Sequence, residues 1–97
     1  MRKIVDRIGK PALLEQTAEE CTELDHACLK EARRLRGENP TPKTAPECRA
    51  AISEELADVQ LCMNLLKGAG YGQAPVAAAD QRGAKLMRWH ERLDEEG

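Results

Sequence analysis

The sequence predicts an all-α fold: a helical bundle of two long antiparallel helices plus a third helix, completed by oligomerisation, with residues 1–97 forming one domain. Three observations carry that prediction. Apolar residues recur every three or four positions over long stretches, which is the rhythm of a helix face and not the alternation of a strand. Proline and glycine fall at or between the ends of those stretches, Gly83 excepted. Only one Trp, one Tyr and no Phe are present, so the core must come from Leu, Ile, Val, Ala, Met and Cys. Such residues serve long helices that meet partner helices, which is why self-association is expected.

Bulk properties narrow the function classes. Ninety-seven residues can fold alone, but with a modest core. A net charge of −2 with no Lys/Arg run offers no field for a nucleic acid polymer. The four cysteines, Cys21, Cys28, Cys48 and Cys62, contain no C-x-x-C pair. Cys21 and Cys28 stand a heptad apart and read as small buried hydrophobes. A reducing cytoplasm is the expected setting. The N-terminal residues show no signal-peptide pattern, and no segment is apolar enough to span a membrane.

Taken in order, Met1–Lys10 places Ile4, Val5 and Ile8 at helical spacing, in a short helix or turn packed on the body. Pro11 fits the first turn of a longer helix, where a missing N–H costs little. That helix is expected to run to Arg36, with Leu14, Ala18, Cys21, Leu24 or Asp25, Cys28, Ala32 and Leu35 on its apolar stripe. Arg33, Arg34 and Arg36 suit its negative end, and Gly37 is a good stop. The proline-rich connection at 37–46 interrupts helix. Thr44 is expected to cap the second long helix, with Glu47 closing a capping box. This helix spans about Pro46 to Lys67 and ends in the glycine-rich turn Gly68–Gly72. That turn lacks the strand–loop–helix setting of a phosphate loop. Pro75 opens the last helix, to about Leu93 or beyond, with a local kink expected at Gly83.

The candidate chemistry lies in acidic residues. On the second long helix Ile52, Glu55, Val59, Cys62, Met63 and Leu66 share one side, which puts Glu55 inside the apolar stripe. Asp58, three residues on, borders the same stripe. A buried carboxylate needs a hydrogen-bond partner, a proton or a cation. Glu20 and Glu23 on the first long helix are a second pair with the same spacing, Glu20 on the flank of its stripe and Glu23 further round. Antiparallel packing lets the pairs meet, and four oxygen donors without a His or Cys cluster select a hard cation, Mg²⁺ best. Taken alone, Glu20 and Glu23 read better as a solvated acidic face; it is Glu55, inside its stripe, that favours the metal.

The order E-E-x-x-E, then E-x-x-D on a second helix, resembles the all-α nucleoside triphosphate pyrophosphohydrolases of the MazG-like type. Here it reads Glu19-Glu20-Cys21-Thr22-Glu23, then Glu55-Leu56-Ala57-Asp58. The resemblance covers roughly Leu13 to Arg92. It implies that Glu20, Glu23, Glu55 and Asp58 hold Mg²⁺, with Mn²⁺ as a substitute. The reaction it implies converts a nucleoside triphosphate to the monophosphate and pyrophosphate, in a dimer or tetramer whose nucleotide pocket lies near subunit contacts. Glu19 or Glu54 would then orient the attacking water or take its proton. The family's basic residues on the third helix match Lys85 and Arg92, while Trp89 stands where Asn is usual. Lys85 and Arg92 are accordingly expected on the pyrophosphate, with Trp89 beside the nucleotide. The same cations also complement the negative end of a helix, and a single Trp also serves as an interface anchor. His26, one turn beyond Glu23, reads as an exposed side chain before it reads as a group supporting the carboxylates, and His90 has no companion that points to catalysis. The readings that compete with the enzyme are a helical protein-interaction module and a metal-binding module without turnover.

Overall fold

A computed structural model of the protein describes residues 3–38 and 43–97. Four helices follow in order: α1 (Ile4–Ile8), α2 (Lys10–Arg36), α3 (Ala45–Gly68) and α4 (Pro75–Glu96). No strand occurs among the described residues. No helix among them is long and apolar enough to cross a membrane.

The helix ends follow local rules. Pro11 lies in the first turn of α2. At the other end Gly37 takes φ +71°, a left-handed conformation that costs glycine nothing. There the Gly37 amide donates to the Arg34 carbonyl at 3.2 Å and the Glu38 amide to Arg33 at 3.1 Å, the paired bonds that seal a helix C-terminus. Residues 39–42 of the proline-rich connection lie outside the described residues. Thr44 and Glu47 form the expected capping box: the Glu47 amide donates to Thr44 Oγ1 at 3.3 Å, and the Thr44 amide to Glu47 Oε1 at 3.1 Å. Those two Thr44 contacts, the backbone one foremost, hold the Glu47 carboxyl below its usual range. α4 continues as helix through Gly83.

α2 and α3 pack antiparallel, which sets everything downstream. Arg34 near the end of α2 approaches Cys48 at the start of α3, while Leu13 at the start of α2 lies with Cys62 and Leu65 near the end of α3. Lys10 Nζ sits 5.8 Å from the centre of the Tyr71 ring, pinning the turn after α3 to the first turn of α2. The core in this seam is small: Leu13, Cys48, Val59 and Cys62 are the buried hydrophobic residues, Leu13 at 1% exposure.

The α3 stripe is placed as expected, with Val59 and Cys62 buried and Ile52, Glu55 and Leu66 half-buried; Met63, expected on it, is exposed. The α2 stripe is not. Leu14, Ala18, Cys21, Cys28 and Leu35 are exposed and, of the expected stripe, Leu24 and Ala32 are half-buried; the sheltered side of α2 is instead built from Leu13, Thr17, Glu20, Leu24, Ala27, Glu31 and Arg34. The two sets are offset by one residue, about 100° of helix. Periodicity detects both stripes but does not say which one the partner helix covers. Among the described residues α4 makes no extensive contact with either long helix; the extensively packed pairs are α2 with α3 and α1 with α2.

Replacing Thr44 by Ala removes one arm of the capping box and should lower the stability of the protein by about 1 kcal/mol in a denaturant titration. The share contributed by Glu47 is present at neutral pH and fades as pH falls through its lowered pKa; its larger part comes from the Thr44 backbone amide, which alanine keeps, so Glu47→Ala should remove the pH dependence and Thr44→Ala should leave most of it.

Candidate metal centre

Halfway along the seam, α2 supplies Glu20 and Glu23 and α3 supplies Glu55. One carboxylate oxygen from each lies within 4.8 Å of the other two. The helical repeat brings Glu20 and Glu23 to adjoining positions, and the antiparallel register carries Glu55 opposite them. Glu20 and Glu55 are half-buried, and Glu23 is exposed at the mouth.

Two oxygens in this group are conspicuous. Oε2 of Glu20 and Oε2 of Glu55 are shut off from solvent without a hydrogen-bond partner. Glu20 Oε1 is satisfied by its α2 neighbour Gln16, whose Nε2 donates at 2.8 Å. Glu55 has its pKa raised, first by burial, then by the charge of Glu23 and a hydrogen bond with it, then by Asp58 and Glu20. An orphaned buried oxygen costs free energy, and adjoining carboxylates cost more when all are charged. A proton relieves part of this; a bound cation relieves all of it.

The donor set fits a hard divalent ion. Ligands at about 2.1 Å from Mg²⁺ lie at most about 4.2 Å apart across its octahedron. Carboxylate oxygens within 4.8 Å therefore need only small side-chain rotations to share one centre. All three donors are oxygens, which favours Mg²⁺ or Mn²⁺ over softer metals.

The remaining expected residues occupy four other places. Asp58 stands outside the 4.8 Å group, one turn along α3, close enough to raise the Glu55 pKa and lining a cleft together with Glu20. Glu19 borders an open depression with Glu23 and His26. Glu54 is exposed on α3, next to Glu55 in sequence. Lys85, Trp89 and Arg92 line a common depression on α4, with Trp89 58% exposed. Because α4 makes no extensive contact with either acidic helix among the described residues, these three are brought to one another and not to the carboxylates of the same chain. Sequence reasoning did not single out Gln16, although its place four residues before Glu20 is the spacing at which two helical side chains meet.

The chain matches no family model, no curated protein and no solved structure.

A raised pKa has a definite consequence for stability. Glu55 holds its proton more tightly folded than unfolded, so without divalent ions the protein carries a stabilising contribution from Glu55 that is fully present below the ordinary glutamate pKa. It should lose stability as pH rises through the folded value. Glu55→Gln should flatten that slope, and it should also abolish any rise in melting temperature on adding Mn²⁺.

Proposed function

We propose that the protein is a Mg²⁺-dependent nucleoside triphosphate pyrophosphohydrolase that works as a homo-oligomer in the cytoplasm. The observation that carries this reading is the convergence of Glu20, Glu23 and Glu55 with two orphaned buried oxygens. The ordered motif of Glu19, Glu20 and Glu23 followed by Glu55 and Asp58 supports the substrate class by its resemblance to MazG-like enzymes. Four free cysteines are in keeping with a reducing compartment.

Glu20, Glu23 and Glu55 would hold the cation, with Asp58 joining them by a rotation of its side chain. The ion supplies Lewis-acid polarisation of phosphate oxygens and a more acidic water. Glu19 lies beside Glu23 at the open side of the site and is placed to take a proton as water attacks the α-phosphorus. Glu54 is the other acid available for that role. The bond from the α-phosphorus to the α–β bridging oxygen breaks, and pyrophosphate leaves with the electron pair. Lys85 and Arg92 offset the charge of the leaving group, and Trp89 shields it from solvent.

Those last groups belong to a helix that its own chain leaves uncovered. α4 exposes Val76, Leu86, Met87, Trp89 and Leu93, with Val76 at 75%. α2 leaves its second stripe of Leu14, Cys21, Cys28 and Leu35 open as well. A second copy covers both and brings the cations of α4 toward the acidic seam. The same uncovered face is what a helical interaction module would show, and turnover separates the two.

Incubation with Mg²⁺ and a panel of ribo- and deoxynucleoside triphosphates should release pyrophosphate, and EDTA should stop it. Glu55→Gln should lower turnover by more than about a hundredfold while the chain stays folded. A folded oligomer that releases none from any nucleotide is an interaction module. Analytical ultracentrifugation should find a dimer or larger species, and Leu86→Asp with Leu93→Asp should convert it to monomer.

A further inference from the structure

The outer side of α2 carries a pattern that reads the same from either end. Leu14, Cys21, Cys28 and Leu35 stand at equal intervals of seven, in the order leucine, cysteine, cysteine, leucine. All four are exposed, Leu35 at 71%, and Ala18 beside them is exposed too. Charge on the helix divides about the same midpoint. From residue 15 to 25 the charged side chains are all acidic: Glu15, Glu19, Glu20, Glu23 and Asp25. From 30 to 36 they are basic, Lys30, Arg33, Arg34 and Arg36, with Glu31 the exception. Glu31 pairs with Arg34 at 2.6 Å, whereas Glu15, Glu19, Arg33 and Arg36 form no ion pair with another described residue.

We infer that this side of α2 is the centre of the homo-oligomer: two copies lay it antiparallel about a two-fold axis midway between residues 21 and 28, which sets Cys21 of one copy beside the partner's Cys28. The inference deepens the proposed self-association and does not depend on the hydrolase chemistry. A parallel pair would set Glu15 and Glu19 against the same acids of the second copy. In the antiparallel pair, positions about equally far from the midpoint face each other. Glu15 then meets the partner's Arg33 and the partner's Arg36, and Glu19 meets the partner's Lys30. At about 100° per residue Glu15, Arg33 and Arg36 share one flank of the stripe, the flank away from the sheltered side of α2, so no element of the pattern is turned from the contact.

Size agrees with charge. Ala18, Cys21 and Cys28, with half-buried Ala32, let two helix axes approach to about 8 Å. Facing cysteines on such helices come within reach of the Cα separations of about 4.4–6.8 Å that a disulfide spans. Within one chain Cys21 and Cys28 are about 10.5 Å apart along the helix and cannot join. A bulkier helix such as α4, with Leu86, Met87 and Trp89 in succession, would hold the axes further apart. The stripe is about 32 Å long and about 10 Å wide, roughly 300 Å² per copy. A stable dimer covers about 800 Å² per copy, so α4 adds to the contact from outside it. Asp25 is the one charge on the stripe and lies next to the axis, close to the same residue of the second copy, which weakens the contact.

The test is cross-linking of the full-length protein by oxidised glutathione. Cys21 and the partner's Cys28 give up two protons and two electrons to form one S–S bond, and the reagent leaves as two molecules of reduced glutathione. The product should be a covalent dimer whose dominant cross-linked peptide joins Cys21 to Cys28. Cys48 and Cys62, buried at 2% and 5% exposure, should stay reduced. Cys21→Ser and Cys28→Ser should each remove that linkage. Without oxidant, sedimentation should find Glu15→Arg weakening the dimer about tenfold, and Arg33→Glu with Arg36→Glu in the same chain restoring it. Asp25→Asn should tighten it. Dominant Cys21–Cys21 or Cys28–Cys28 linkage, a dimer whose Cys21 and Cys28 do not cross-link, or a Glu15→Arg loss that the two reversals leave unrestored would overturn the contact while leaving self-association in place. A monomer at every concentration would overturn both. Absence of pyrophosphate release with the Cys21–Cys28 bond intact would remove the hydrolase reading and leave the contact standing.

Discussion

The structure turns on one unfavourable arrangement: a carboxylate carried on the apolar side of α3 and pressed between two others from α2. Glu55 faces Glu20 and Glu23 in the seam where α2 and α3 derive their mutual packing. An apolar residue at position 55 would pack there without an orphaned oxygen or like-charge repulsion. Folding alone gives no reason for the arrangement. A ligand that binds the folded state and cancels the charge does, because its binding free energy adds to stability. The acidic seam is thus a defect of the protein alone that a bound cation, as proposed, would turn into a source of stability.

The rest of the architecture positions that seam. Capping at Thr44 and the Gly37 stop fix where α3 begins and α2 ends, on either side of the turn-back that brings Glu55 opposite Glu20. The Lys10–Tyr71 contact holds the other end. Between these clamps the core is only a few residues deep. A seam so thin, flanked by an uncovered α4 and a second apolar stripe on α2, describes half of an interface more than a finished domain. On the proposed reading, chemistry and assembly would both follow from this packing deficit.

Most of the fold was legible because its signals are local. Pro11, Gly37, the Thr44–Glu47 box and Pro75 each act within a turn of helix, and the boundaries fall within a residue or a few of where they place them. The half-buried position of Glu55 was legible as well, since α3 has a single apolar stripe. The burial of α2 was not. Cys21 and Cys28 belong to one of two stripes about 100° apart, and the choice between stripes is made by α3 and by whatever covers the opposite side. That rotation carries Glu20 from the flank of the expected stripe to the face that α3 covers.

The most direct measurement of the central claim is a crystal soaked in Mn²⁺ and examined at the manganese absorption edge. The account predicts one anomalous peak within bonding distance of Glu20, Glu23 and Glu55, with their oxygens drawn closer than in the empty protein. No peak at that position, with the three side chains turned outward to solvent, would contradict it.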